Sequence, residues 1–328
     1  MFKNIILFTL LFTFVVVVVG AFVRLTDAGL GCPDWPGCYG QATPKRAADA
    51  IAKAVVEQGG VHGPVSMQKA WHEMFHRYLA GTLGLLILSI TVMAWVQRQR
   101  LAQSPWLASA LLLLVIFQAA LGMWTVTMLL KPVIVTMHLL GGMATLALLT
   151  WLAMQQMQLF RPEGGAAKLR PWAMLGLALL VAQIALGGWV STNYAALACI
   201  DLPTCHGEWM PKMDFQHGFQ LLRELGQTAA GDKLSYDALT AIHWTHRVGA
   251  LVVATYLAWL VWRAARVSGL RVIAIAIGVL LMIQVLLGAG NILTGLKLAV
   301  AVAHNAGAAL LLVALVVLNF ALSVRPKT

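Results

Sequence analysis

Apolar stretches of about 20 residues, each long enough to cross roughly 30 Å of hydrocarbon, recur eight times in this chain. They lie near 5–23, 74–96, 106–128, 133–156, 172–192, 241–262, 271–293 and 299–321. Soluble domains carry about 25% charged residues, whereas 11% are charged here and 60% are hydrophobic. The expected fold class is therefore an all-α membrane protein with eight transmembrane helices. Lys3 before the first stretch resembles the start of a signal peptide. Its core, "IILFTLLFTFVVVVVGAFV", is longer than an ordinary signal core, so it is expected to remain as an uncleaved helix.

The formal charge of +11 is informative by location, because orientation follows Lys and Arg in short loops. Arg98 and Arg100, then Arg161, Lys168 and Arg170, then Arg263, Arg266 and Arg271 cluster in three short connections. Lys3, Arg325 and Lys327 join that side, while the alternate short connections carry Lys131 and Lys297 only. This pattern predicts both termini in the cytoplasm of a bacterial inner membrane. The long loops, roughly 24–70 and 193–240, then lie in the periplasm. Orientation accounts for the basic residues, and no nucleic-acid partner is expected. Cys32, Cys38, Cys199 and Cys205 all fall in these outer loops. Disulfides persist in an oxidising periplasm, so a bond within each pair is the favoured expectation and two pairs of free thiols the alternative.

An internal repeat organises the rest. "VRLTDAGLGCPDWPGCYG" (23–40) aligns without a gap on "VSTNYAALACIDLPTCHG" (190–207). Gln118, Leu121, Gly122, Lys131 and His138 recur as Gln284, Leu287, Gly288, Lys297 and His304, and His76-Arg77 recurs as His246-Arg247. Each half holds an even number of helices, so both enter the membrane in the same direction, as in parallel repeats. Two four-helix bundles are expected, 1–160 and 161–328.

Of the nine histidines, His62, His206 and His217 fall in outer loops. His72, His76, His138, His243, His246 and His304 fall at the outer ends of four helices. Ionisable groups within a membrane are costly and usually face the bundle interior. The repeat-related pairs His76/His138 and His246/His304 match what a porphyrin between two helices needs, one axial imidazole from each side. "HEMFH" (72–76) also reads as H-E-x-x-H, a zinc motif. A zinc site needs a third protein ligand, and in the second half "IHWTHR" keeps only the His-Arg pair. Zinc is accordingly set aside. Arg77 and Arg247, beside the ligand histidines, are candidates to hold propionates bidentately, with interfacial snorkelling as the alternative. Gln118 and Gln284, four residues before Gly122 and Gly288, are expected at close helix crossings.

"EMFHR" (73–77), "TMHLLGG" (136–142), "IHWTHR" (242–247) and "AVAHNAGA" (301–308), in two repeats with outer C-x5-C loops, resemble the heme A synthase family. The resemblance covers essentially the whole chain. It implies an eight-helix oxidoreductase with two porphyrin sites, which oxidises the C8 methyl of heme O to formyl by successive hydroxylation and water loss. It implies haem b on His246 and His304 in the C-terminal half, and substrate heme O between His76 and His138 in the N-terminal half. Its oxygen comes from molecular oxygen or water, and its substrate from a heme O-producing membrane enzyme as a possible partner. The pattern names neither an electron donor nor a copper ion.

Broken symmetry sharpens the site expectation. Glu73 aligns with His243 and lies three residues before His76, on the same helix face. An acid retained in one half only is the expected catalytic acid/base or charge stabiliser. The rival reading is a di-haem b electron carrier without substrate chemistry. A quinone-linked thiol oxidant would leave the four helix histidines idle, and a transporter would not need them clustered.

Overall fold

The computed structural model describes residues 1–58, 60, 63–101, 104–157 and 166–323. Arg161, Arg325, Lys327, His62 and the expected 160/161 domain junction lie outside the described residues. Ten α-helices occur in chain order among those residues: α1 (Phe2–Leu25), α2 (Ala48–Glu57), α3 (Met67–Val96), α4 (Trp106–Thr127), α5 (Pro132–Met157), α6 (Arg170–Thr192), α7 (Phe215–Gly218), α8 (Tyr236–Ala264), α9 (Arg271–Leu293) and α10 (Leu298–Ser323). Eight of them are long and apolar enough to cross a membrane. The short helices α2 and α7 belong to the two long cysteine-bearing loops and were not anticipated.

Two spans begin earlier than hydropathy predicts. Helix α3 starts at Met67 rather than near 74, and α8 at Tyr236 rather than near 241. In each case a serine caps the start: Ser66 accepts from the Lys69 N–H at 3.1 Å and Ser235 from the Ala238 N–H at 3.2 Å. Such caps satisfy amides that the helix itself leaves free. The polar first turns that follow extend beyond the apolar run. Within the spans, Thr9, Thr13, Thr91, Thr145 and Thr150 each donate to the carbonyl four residues back, at 2.7 to 2.9 Å. That pairing lets a hydroxyl sit in a span without an orphaned donor.

Helix neighbours form two rings. In the first, α1 packs on α3, α3 on α4, α4 on α5 and α5 back on α1; in the second, α6, α8, α9 and α10 repeat the order. The rings join where α1 and α5 meet α10, and α5 meets α6. One apolar core runs across that junction, from Met143 and Leu146 to Leu257 and Leu315, and a second fills the first ring around Ile87, Leu111 and Leu149. At the end of the bundle that carries the disulfide loops, Arg24 reaches across the junction. It donates to the Ser191 carbonyl at 2.6 Å and lies 4.2 Å from the centre of the Tyr194 ring.

Both cysteine pairs are disulfide-bonded, Cys32 to Cys38 and Cys199 to Cys205. Each closes a loop with the same internal bracing. Asp34 accepts from the N–H groups of Tyr39 (2.6 Å) and Gly40 (2.7 Å), and Asp201 from those of His206 (2.8 Å) and Gly207 (2.9 Å). Gly40 and Gly207 take the left-handed conformation, at φ 72° and 77°, which favours glycine. Donation from the Gly207 N–H, the Thr204 hydroxyl and the His206 N–H holds the Asp201 carboxyl well below the usual range.

Candidate functional site

The two histidine-bearing helices of each ring face one another diagonally. Helices α3 and α5 are separated by α1 on one side and α4 on the other, as α8 and α10 are by α6 and α9. His76 lies about 14 Å along α3 and His246 about 15 Å along α8, at 1.5 Å per residue, whereas His138 and His304 lie about 9 Å into α5 and α10. The extra length of α3 and α8 is their polar first turns.

Each of the four imidazoles rests on a glycine of an adjacent helix. A methyl group built on Gly20 of α1 would sit 2.9 Å from Cε1 of His76, and one on Gly187 of α6 would sit 3.1 Å from Cε1 of His246. Gly122 of α4 and Gly288 of α9 stand in the same relation to His138 and His304, at 3.3 and 3.2 Å. The rings therefore fill space that a side chain would otherwise occupy. Nδ1 of His76, His138 and His304 is buried without a partner, which is unusual for a protein interior. Paired imidazoles on diagonal helices, cradled by glycine and short of partners, fit axial ligation of one porphyrin per ring.

Glutamines brace three of these histidines. Gln118 donates to the His138 carbonyl at 2.8 Å, and Gln183 to the His246 carbonyl at 2.9 Å. The Gln183 amide also lies 2.9 Å from Nδ1 of His246, and that of Gln284 lies 3.4 Å from Nε2 of His304. Gln118 and Gln284 were expected beside helix crossings; Gln183 was missed. The signal was present as a spacing, since "QAALG" (118–122), "QIALG" (183–187) and "QVLLG" (284–288) share Q-x-x-L-G. The repeat alignment hid it, because Gln183 falls opposite Val16.

Glu73 and His243 occupy equivalent positions and do equivalent local work. Glu73 is buried at 4% exposure and accepts from the Cys32 N–H at 2.9 Å while pairing with Arg77. His243, also 4% exposed, places Nδ1 3.2 Å from the Cys199 amide nitrogen and Nε2 3.3 Å from Nε of Arg247, and a neutral imidazole accepts at one of the two. Arg77 donates to the carbonyls of Cys32 (3.2 Å) and Asp34 (2.7 Å), and Arg247 to those of Cys199 (2.7 Å) and Thr204 (2.8 Å). Each arginine thus fastens a disulfide loop onto the helix that carries a candidate ligand, His76 or His246. At this pair of positions the halves differ in chemistry: a carboxylate in the first ring, an imidazole in the second.

The remaining histidines separate from this group. His72 packs its ring edge-on against Phe22, with centroids 4.9 Å apart. His206 bonds to the Ala198 carbonyl at 2.8 Å and stacks on Tyr236. His217 pairs with Asp214 at 2.6 Å. Donation from the His217 N–H and ring holds the Asp214 carboxyl below its usual range.

A family model described as cytochrome oxidase assembly protein matches residues 3–316. Curated relatives agree along nearly the full length. A protein named heme A synthase from Shewanella oneidensis is 41% identical over 315 residues, which is 95% of this chain and 94% of the relative. Proteins of the same name from Rhizorhabdus wittichii and Halalkalibacterium halodurans are 28% and 26% identical, over 95% and 88% of this chain and 91% and 86% of their own lengths.

Proposed function

The chain belongs to the cytochrome oxidase assembly protein family, and from that premise we propose that it is a heme A synthase, a membrane oxidoreductase that converts the C8 methyl of heme O to formyl. The observation that carries the reading is the pair of diagonal histidine couples joined to one chemical asymmetry, Glu73 against His243. His76 and His138 bind the substrate heme O in the N-terminal ring, 1–160. His246 and His304 hold haem b in the C-terminal ring, 161–328, where a bound haem b supplies one-electron transfer. Apolar helix faces around each couple exclude water from the porphyrin. Glu73 lies one helical turn from His76 and is the acid/base or charge-stabilising group at the substrate edge. Arg77 and the Cys32 N–H orient its carboxylate. His243 has no proton-transfer duty and anchors its loop. The arginine clusters Arg98/Arg100 and Arg263/Arg266/Arg271 support an orientation with both termini cytoplasmic and the disulfide loops periplasmic of the inner membrane.

Pigment analysis tests the reading. The protein is purified from cells that also make heme O, extracted in acidified acetone, and its porphyrins are separated with mass detection. Heme A, or its hydroxymethyl precursor, is expected beside haem b. Haem b alone, with heme O available, would establish an electron carrier instead.

A further inference from the structure

Aligning "HEMFHR" (72–77) on "IHWTHR" (242–247) pairs His72 with Ile242, so the second ring of helices is apolar where the first carries an imidazole. Ile242 is fully buried and packs with Trp189, Val190 and Ala195. His72 has no such fit. Its Nδ1 is buried without a hydrogen-bond partner, and its ring stands edge-on to Phe22 of α1. Among the described residues, buried histidine nitrogens without a partner occur on His76, His138, His304 and His72. The first three are candidate axial ligands; His72 is left over.

Its place on α3 decides what it can meet. At 1.5 Å and about 100° per residue, His72 lies about 6 Å nearer the disulfide-loop end than His76 and is turned from it by only about 40°. Both face the interior, since the same stripe continues as the buried Leu83, Ile87, Ile90 and Ala94. Glu73 is turned the other way. Thr91, about five whole turns beyond Glu73, donates to the Ala108 carbonyl of α4 at 3.0 Å, whereas His72 meets Phe22 of α1. His72 and Glu73 therefore flank His76, one toward α1 and the other toward α4.

Heme O carries two propionates on adjacent pyrroles, and an ionised carboxylate only accepts hydrogen bonds. Charge is costly in hydrocarbon, so these groups turn toward the loop end, the nearer surface. The terminal nitrogens of Arg77 are already engaged there by Glu73 and by the carbonyls of Cys32 and Asp34. Resting on the assignment of heme O to the N-terminal ring, we propose that His72 is a substrate-binding residue whose ring N–H donates to one heme O propionate on the α1 side. The C8 methyl shares its pyrrole with the other propionate. A grip on the α1 side thus leaves that methyl toward α4, the side of Glu73. In the C-terminal ring Ile242 supplies no such donor.

A cycle that changes the side chain and the carboxylate in turn isolates this contact. Full-length protein, purified with its haem b from cells that make no heme O, is titrated with heme O or with heme O dimethyl ester, and binding is followed by haem absorbance. His72→Ile should weaken heme O binding about tenfold or more, as loss of a hydrogen bond to a charged group does, and leave ester binding and haem b content unchanged. His72→Gln, which keeps an N–H donor, should recover most of the loss. Wild-type affinity for heme O in His72→Ile overturns the proposal. Equal weakening for heme O and the ester also overturns it, because the side chain would then only pack. If His72→Ile does not fold, His72→Gln against His72→Met makes the same comparison, and equal heme O affinities overturn it. The underlying assignment fails separately: a His138→Ala protein that binds heme O like the wild type removes the N-terminal site itself, whatever His72 does.

Discussion

Replacing Glu73 by histidine separates what this side chain does for the fold from what it does for the reaction. The carboxylate and Arg77 form a buried pair, with side chains 6% and 11% exposed, and the same carboxylate accepts from the Cys32 N–H. Truncation to alanine strands the guanidinium and that amide, and breaking one side of a buried pair costs about 3–5 kcal/mol. Histidine already stands at the equivalent place, where the ring nitrogens of His243 lie 3.2 Å from the Cys199 amide nitrogen and 3.3 Å from Nε of Arg247. A neutral imidazole accepts at one nitrogen only, so Glu73→His should keep one of the two hydrogen bonds and cost about 1 kcal/mol, the usual size of one lost bond. Denaturation of each variant in detergent, followed by haem absorbance, measures the first effect. Heme A formed per haem b measures the second. The expected outcome is a stable Glu73→His protein with haem b and no turnover, beside a clearly less stable Glu73→Ala. Wild-type turnover in Glu73→His would remove Glu73 from the chemistry, and wild-type stability in Glu73→Ala would refute the anchoring argument.

Further expectations follow from other parts of the molecule. Cys32→Ser with Cys38→Ser opens a loop of sequence separation 6, for which chain entropy gives about 2 kcal/mol; stability should fall while heme A formation persists. Gly20→Ala places a methyl 2.9 Å from the His76 ring, and overpacking of about 1–3 kcal/mol should reduce the heme O bound per protein. Gly81→Ala, where a methyl meets nothing within 4 Å, should leave pigment content unchanged in the same extraction. The Asp201 carboxyl is held below its usual range, so its contribution is fully present above the ordinary carboxylate value of about 3.9 and is lost as pH falls through the depressed one. The stability gap between wild type and Asp201→Ala should therefore be flat from neutral pH down to about 4 and close in stronger acid.

Hydropathy made the eight spans readable because the hydrocarbon demands length and composition, and nothing else in the chain meets that demand. It misplaced the starts of α3 and α8, since Lys69, His72, Tyr236 and Asp237 lie in turns beyond the apolar run. Ser66 and Ser235 were the available marks. The ligand candidates were legible through duplication: His76 and His138 have counterparts that chance would not supply. Their diagonal placement was not, because helix order around a ring is a property of packing rather than of spacing. The donation of Arg77 to the carbonyls of Cys32 and Asp34 was not legible, because no local pattern encodes such a contact. Gln183 escaped for the opposite reason. A search by repeat finds what the halves share, and this residue belongs to what they do not.

The central claim is that the two rings hold two different porphyrins for two different tasks. Counting the pigments in His246→Ala and His138→Ala proteins, each purified from cells that make heme O, tests it most directly. The account predicts that His246→Ala loses haem b and still retains heme O, whereas His138→Ala keeps haem b and loses heme O and heme A. Loss of the same pigment from both variants, or haem b in equal amount at both sites, would contradict it.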